Sequence, residues 1–208
     1  MHFNLYDLAN KWQFNVTGVI QAGAHYGEEI GFFDHLQVTK RVLFEPVKSN
    51  FDVLDKHFGI NPHNILIKKA LGSQDGILPI YTETDNRGES CSILAPKEHL
   101  VQFPYIKFDE LQEIVDVTTL DTCGIDLTDC NFLMMDTQGY ELEVLKGASK
   151  TLEHVDYIVT EVMRAELYEG ATMYEELCAF LYEKGFSMVE QNWVGGTYGD
   201  CLFIKQNN

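Results

Sequence analysis

Two periods of apolar residues alternate along this chain. Short apolar runs, "GVIQAG" (18–23), "RVLFEP" (41–46), "NFLMMD" (131–136) and "YIVTEV" (157–162), carry Gly, Pro or an acid at or next to their last position. Such runs read as strands buried on both faces. Between them, apolar residues recur at helical spacing. Ile30 and Phe33 share one face of a segment at 28–36, and Phe51, Leu54 and Phe58 share one face of a helix stopped by Gly59. A further helix is predicted at 140–148. The clearest runs from Thr172 to Lys184, with Met173, Leu177, Phe180 and Leu181 on one face, capping-box spacing at Thr172 and Glu175, and Gly185 as the stop.

Other runs fill in the order. "NILIKKAL" (64–71) reads as a third strand ended by Gly72, "GILPIYT" (76–82) as a short extra strand, and "EIVDVTTL" (113–120) as another. "FSMVEQNW" (186–193) and "DCLFIK" (200–205) read as a closing hairpin around "GGTYG". Strand–helix alternation predicts an α/β fold: parallel strands, helices on both faces, and ligands bound outside the carboxyl ends of the strands. With no linker or repeat, one domain over 1–208 is expected, with a short N-terminal extension at 1–16. The pattern breaks down at 83–107, a stretch with two prolines and a glycine that reads as a long loop on the substrate side.

Charge narrows the partners. The 208 residues carry 32 acids against 15 bases, a net charge of −17. A phosphate backbone would meet repulsion, so no nucleic-acid partner is expected, and the acids read mainly as a solvated surface. No apolar stretch reaches the roughly 18 residues of a membrane span, so no membrane partner is expected. Five scattered cysteines without a C-x-x-C pair, and no export signal, fit reduced thiols and a cytoplasmic location. The seven histidines show no metal-ligand spacing, so no metal site is predicted. Oligomerisation stays open.

Candidate chemistry gathers at the predicted strand ends. "VIQAGAHYGEE" (19–29) is a strand entering a Gly23–Gly27 turn and leaving as a helix. Glycines allow close approach of backbone to a ligand, but they also serve strand–helix packing. Glu45 follows the second strand about 20 residues past Gly23, where a carboxylate can accept both hydroxyls of a ribose. Glu28 and Glu29 follow the turn at once. They would repel a pyrophosphate and suit an ammonium or sulfonium ligand, which favours S-adenosylmethionine over NAD. Asp136 ends an apolar strand, where it can hold the cofactor's ammonium, orient a substrate hydroxyl or cap the next helix. Glu161 ends another strand. His25, inside the turn, is a candidate general base, a cofactor hydrogen-bond partner or a solvent-facing residue. Glu141 and Glu143 complement a helix dipole or face the site, and Ser90 and Ser92 are candidate polar substrate contacts.

Taken in order, "VIQAGAHYGEE", "VLFEPVKSNFDVL", "KKALGSQDG", "VTTLD", "MMDTQGYELEVLKGA" and "YIVTEV" resemble FkbM-type methyltransferases, a class I S-adenosylmethionine-dependent family, over about residues 17–165. The run D-x-x-G-x-E-x-x-V-L-x-G-A at 136–148 is the specific part. The resemblance implies a Rossmann-like three-layer α/β/α sandwich whose mostly parallel seven-stranded sheet ends in an antiparallel hairpin. It implies methyl transfer to a hydroxyl of a sugar, glycan or small natural product. By position it implies Gly23, Ala24 and Gly27 in the cofactor turn, with Gln21, His25 and Glu28 beside them. It also implies Glu45, followed by Pro46, at the ribose, Ala70 and Leu71 flanking adenine, and Asp136 at the active edge. The sequence departs from the family pattern at Gln21, where Asp is usual, at His25 (commonly Asn) and at Gln138 (commonly Glu). Two alternatives differ in class: a non-catalytic member that keeps the fold as a binding or scaffold domain, and an NAD-linked oxidoreductase, which the absence of G-x-G-x-x-G disfavours.

Overall fold

A computed structural model describes residues 1–206. Its main sheet has seven strands in the order β3-β2-β1-β7-β8-β10-β9. The strands are β1 (Val19–Ala22), β2 (Arg41–Phe44), β3 (Asn64–Ile67), β7 (Phe132–Met135), β8 (Tyr157–Met163), β9 (Phe186–Val194) and β10 (Tyr198–Lys205). The pairs from β3 through β8 are parallel, and β10 runs antiparallel to both β8 and β9. This is the expected Rossmann-like sheet with its closing hairpin.

The period-2 pattern explains the layers. Ile20, Ala22, Val42, Phe44, Leu133 and Met135 face one core, which Leu142 and Leu145 of α5 (Glu141–Lys146) and Leu177 and Leu181 of α6 (Tyr174–Glu183) close. The intervening Val19, Leu43, Phe132 and Met134 face the other. There they meet Leu5 and Leu8 of α1 (Leu5–Trp12), Ile30 and Phe33 of α2 (Ile30–His35) and Leu54 of α3 (Lys48–Phe58). Every residue of β1, β2 and β7 is buried, so these strands are apolar on both faces except at Gln21 and Arg41, whose side chains bond Glu29 and Asp34. Burying each large side chain contributes about 1.5–3 kcal/mol.

Three expectations change. The segment 64–71 is not one strand. Lys68 and Lys69 are exposed, and the chain leaves the main sheet there, so β4 (Ala70–Leu71) pairs instead with β6 (Glu113–Thr118). Together with β5 (Gly76–Ile80), these make a separate three-stranded sheet in the order β4-β6-β5. The capping box at Thr172 is not formed. α6 starts at Tyr174 with no side-chain cap, and Thr172 Oγ1 instead accepts the N–H of Leu142 at 3.4 Å, tying α6 to α5. Finally, 83–107 is an ordered loop. It bridges to its neighbours at Glu83–Phe108 and Pro96–Tyr168 and contains a short helix, α4 (His99–Gln102).

Candidate active site

The carboxyl ends of β1, β2, β7 and β8 open into one cavity of about 550 Å³, roofed by residues of the 83–107 segment. The turn after β1 forms its first wall, and the turn's hydrogen bonding decides what it can bind. The N–H groups of Gly23 and Ala24 donate to Phe44 O at 3.0 and 2.9 Å, and that of His25 donates to Glu45 Oε2 at 2.8 Å. Those of Tyr26 and Gly27 donate to Glu28 Oε2 and Ala24 O at 3.2 and 2.8 Å. Every N–H from Gly23 to Gly27 is thus used inside the protein, and none is left to cradle a phosphate. The two glycines have packing reasons of their own. Gly23 has φ +76, and a Cβ there would lie 2.1 Å from Asp136 O. A Cβ on Gly27 would meet Ile30, Leu54 and Phe58 at 2.8–2.9 Å.

Glu45 stands at the end of β2 and is almost fully buried. Its two oxygens accept the N–H groups of His25 and Val47, at 2.8 and 2.9 Å, which fixes the carboxyl plane at the cavity wall. Burial pushes its pKa up to about 7 despite those donors. Beside it Ala70 and Leu71, with Val47 and Ile80, give an apolar wall that the small second sheet supports. Such a wall suits a flat base.

The floor is acidic. Gln21, 2% exposed, donates from Nε2 to Glu29 Oε2 at 2.8 Å, and its Oε1 is buried without a partner. Gln138 Nε2 bridges Asp136 Oδ1 at 2.7 Å and Glu161 Oε2 at 2.9 Å. Glu161 is buried, and burial together with Asp136, Glu141 and Asp200 pushes its pKa well up. Burial also raises Glu29. The cationic nitrogen these acids meet in the structure is the amino group of Met1, 3.7 Å from Asp136 and 3.9 Å from Glu29.

His99, Phe103, Tyr105 and Tyr198 give the cavity an aromatic lining, with Ser90 and Ser92 also on its wall. Ser92 Oγ donates to Gln138 O at 2.8 Å, so it anchors the loop to the floor.

Of the expected site residues, Gln21, Gly23, His25, Glu28, Glu45, Pro46, Ala70, Leu71 and Asp136 line the cavity together. Ala24 and Gly27 do not. Ala24 packs in the core, and Gly27 lies on the far side of the turn against α3. The base role considered for His25 does not suit its surroundings. Nδ1 lies 2.9 Å from Glu28 Oε1 and Nε2 lies 2.9 Å from Arg87 O, so both nitrogens face acceptors and no lone pair is free. Burial pulls its pKa down, but the bonds to Glu28 and Arg87 outweigh this and the net shift is upward. Glu141 stays outside the cavity. Its Oε1 accepts from Thr137 N, Thr137 Oγ1 and Gly139 N, pinning the turn after β7. Glu143 is a surface acid paired with Lys146 and Ser73. Glu29, read from sequence with Glu28 as an acid that disfavours a pyrophosphate, also lines the cavity. His99 was not singled out from sequence, and the pattern offered no signal for it. Among the described residues no cluster of His, Cys, Asp and Glu is arranged to hold a metal ion, and no helix is long and apolar enough to cross a membrane. The five cysteines are free thiols.

Fold and cavity together define the class, a Rossmann-like α/β/α protein with a ligand site at the carboxyl edge of its parallel strands. Residues 21–188 match the family described as the methyltransferase FkbM domain, and the chain belongs to that family. The 2-O-methyltransferase NoeI of Sinorhizobium fredii (strain NBRC 101917 / NGR234) is 32% identical over 114 residues, covering 54% of this chain and 46% of that relative. The match thus spans about half the length of this curated relative. The crystal structure of magnesium protoporphyrin IX methyltransferase (ChlM) from Synechocystis PCC 6803 with bound SAM is similar at TM-score 0.54 and 7% identity, covering 97% of this chain and 76% of that one. A SAM-dependent methyltransferase from Aquifex aeolicus is similar at TM-score 0.51 and 11% identity, covering 97% and 89%. At these identities the likeness is one of fold.

Proposed function

We propose that the chain is an S-adenosylmethionine-dependent O-methyltransferase acting on a hydroxyl of a sugar, glycan or small natural product. The observation that carries this is the wholly satisfied backbone of the Gly23–Gly27 turn above an acidic floor. A pyrophosphate would find no free N–H group and would face Glu28, Glu29 and Asp136. A sulfonium- and ammonium-bearing ligand finds carboxylates whose charge it neutralises.

The residues fit that ligand. Gln21 Oε1 is a buried acceptor without a donor, and Glu29 and Asp136 are carboxylates with one amide donor each. Glu45 would accept the ribose hydroxyls through the lone pairs left after its two backbone bonds. Ala70 and Leu71 would flank the base. When bound, the cofactor supplies an electrophilic methyl group. The chain's part is to hold the hydroxyl in line, exclude water and take up a proton. A hydroxyl acceptor is supported by the name of the relative NoeI, a 2-O-methyltransferase.

Isothermal titration calorimetry with S-adenosylmethionine, S-adenosylhomocysteine and NAD tests the proposal. Binding of the first two and not the third is expected. No binding of either sulfur ligand at millimolar concentration would overturn it. Binding without turnover of glycosides or small alcohols would point to the non-catalytic alternative.

A further inference from the structure

The proposed reaction releases a hydroxyl proton, and His25 has no lone pair free to take it. The same cavity offers another imidazole. His99, at the start of α4, is 3% exposed, the one buried histidine among the described residues. Its N–H donates to Leu167 O at 3.0 Å, and its carbonyl accepts the N–H of Phe103 at 2.8 Å, so its backbone is fixed. Its ring lies between Phe103, Phe108 and Tyr168, with centroids 5.0, 5.3 and 5.4 Å away. Yet Nδ1 is sealed with no hydrogen-bond partner, and His99 lines the cavity. A buried polar group left unpaired costs about 1–3 kcal/mol. An aromatic box that needed only packing would be more stable with a phenylalanine in it.

The position suits a reacting hydroxyl. Tyr168, in contact with His99, donates from its hydroxyl towards Gln138 Oε1 and Ser90 O, both at 2.9 Å. Gln138 in turn holds Asp136 and Glu161. Tyr168 and Gln138 thus link His99 to the acids at the ends of β7 and β8. The groups around it leave it uncharged. Phe103 and Phe108 carry no charge, Leu167 offers only its carbonyl, and burial holds the Tyr168 phenol well above its ordinary value. Asp136 and Glu161 stand behind Gln138, Tyr105 and Tyr198 line the same cavity, and on its own segment Lys97 pairs outward with Glu166. Burial lowers the His99 pKa, so the ring is neutral at pH 7.

We propose that His99 binds and deprotonates the acceptor hydroxyl, in an aromatic subsite for a neutral, ring-bearing alcohol of the sugar class. This rests on the methyl-transfer reading above. Nδ1 is the sealed nitrogen, so the hydroxyl meets Nε2. Either tautomer leaves Nδ1 unpaired, and the partner at Nε2 therefore decides which tautomer is present. His99 takes the proton as the acceptor oxygen bonds to the methyl carbon, while the carbon–sulfur pair stays on sulfur as a thioether. The imidazolium then releases its proton to water as product leaves. The acidic floor disfavours anionic acceptors, and the exposed faces of Phe103, Tyr105 and Tyr198 suit the C–H faces of a sugar ring.

The test uses the methyl glycosides of glucose, galactose and mannose as acceptors, with S-adenosylmethionine as donor. Wild type should methylate at least one. His99→Gln should lower kcat about 100-fold while KM changes only a few-fold, as for a general base. The wild-type kcat should fall on the acid side as His99 protonates, and the variant should lose that limb. S-adenosylhomocysteine binding, measured by calorimetry, should be the same in both, which separates failure here from failure of the cofactor reading. In nitrogen-15 histidine spectra, the His99 resonances should shift when the glycoside is added to the complex with S-adenosylhomocysteine. If His99→Gln binds that ligand poorly, His99→Asn takes its place, and the spectra of wild type stand regardless. Retention of most of kcat, no His99 shift on adding glycoside, or no methylation of any of the three by wild type that binds the cofactor would each overturn the proposal.

Discussion

Gln21 and Glu29 share one hydrogen bond across the turn after β1, Nε2 to Oε2 at 2.8 Å. The glutamine that stands where the family usually has an acid does not leave the site short of a carboxylate. It braces one that arrives eight residues later, at the entry to α2.

Glu29→Gln should weaken S-adenosylmethionine about tenfold or more, the worth of one charge-assisted contact. 5′-Methylthioadenosine, which lacks the amino-acid end, should bind both proteins equally in calorimetry. Gln21→Asp sets a second carboxylate against Glu29 and removes its donor, at a cost of about 1–3 kcal/mol in the ligand-free chain. The ligand's ammonium relieves that repulsion, so binding should hold or tighten as the melting temperature falls. Weaker binding of S-adenosylmethionine to Gln21→Asp would place the ligand elsewhere.

A second set of contacts fastens the roof to the turn. His25 bonds Glu28 and the carbonyl of Arg87, and the Arg87 guanidinium lies 3.2 Å from Glu28 and over the Tyr26 ring. The raised His25 pKa means the folded chain favours the imidazolium. This contribution is complete below the ordinary histidine pKa and fades as pH rises through the folded value. Amide exchange of residues 84–90, corrected for intrinsic rate, should therefore be slower at pH 6 than at pH 8. Arg87→Ala, which removes an exposed pair worth about 1 kcal/mol at most, should raise exchange at both. His25→Asn keeps a residue tolerant of the left-handed φ of 47° and should remove the pH dependence. Identical exchange at both pH values in wild type would rule out a role for His25 in the fastening.

Which parts of this were legible in sequence follows from what periodicity reports. β1, β2, β7 and β8 are mostly apolar on both faces, and an apolar run bounded by a turn and an acid has few other uses. Periodicity does not name a strand's partner, so "NILIKKAL" and "EIVDVTTL" looked like members of one sheet. The paired lysines 68 and 69, exposed where the chain turns away, were the only mark of the break. The acids at strand ends, Glu45 and Asp136, could be placed because parallel strands bring their carboxyl ends to one edge. The roof could not, because contacts such as Pro96–Tyr168 and Ser92–Gln138 join residues far apart in sequence without any repeat. His99 is hidden for the same reason, and Thr172 misled because its hydroxyl serves Leu142 on another helix.

Glu141 shows how a motif acid can be structural and still titrate. It is buried outside the cavity, with three donors on Oε1. Burial lifts its pKa to about 7 from 4.5. The folded chain thus keeps a proton that the unfolded chain releases from about pH 4.5, and stability falls as pH rises through the window from 4.5 to 7. Glu141→Gln copies the protonated form, with the amide oxygen serving Thr137 and Gly139 and the amide nitrogen in place of the acid O–H. It should match wild type near pH 5 and melt several degrees higher at pH 8, since a pKa lifted from 4.5 to about 7 corresponds by linkage to about 3 kcal/mol and each 1 kcal/mol moves the midpoint about 2–4 °C in a chain of this size. Circular dichroism melts at the two pH values measure this directly, and S-adenosylhomocysteine affinity should not change, since Glu141 does not line the cavity. An equal offset at both pH values would mean that packing rather than ionisation separates the two proteins, and a lower melting point at pH 8 would mean that Glu141 is held as a carboxylate.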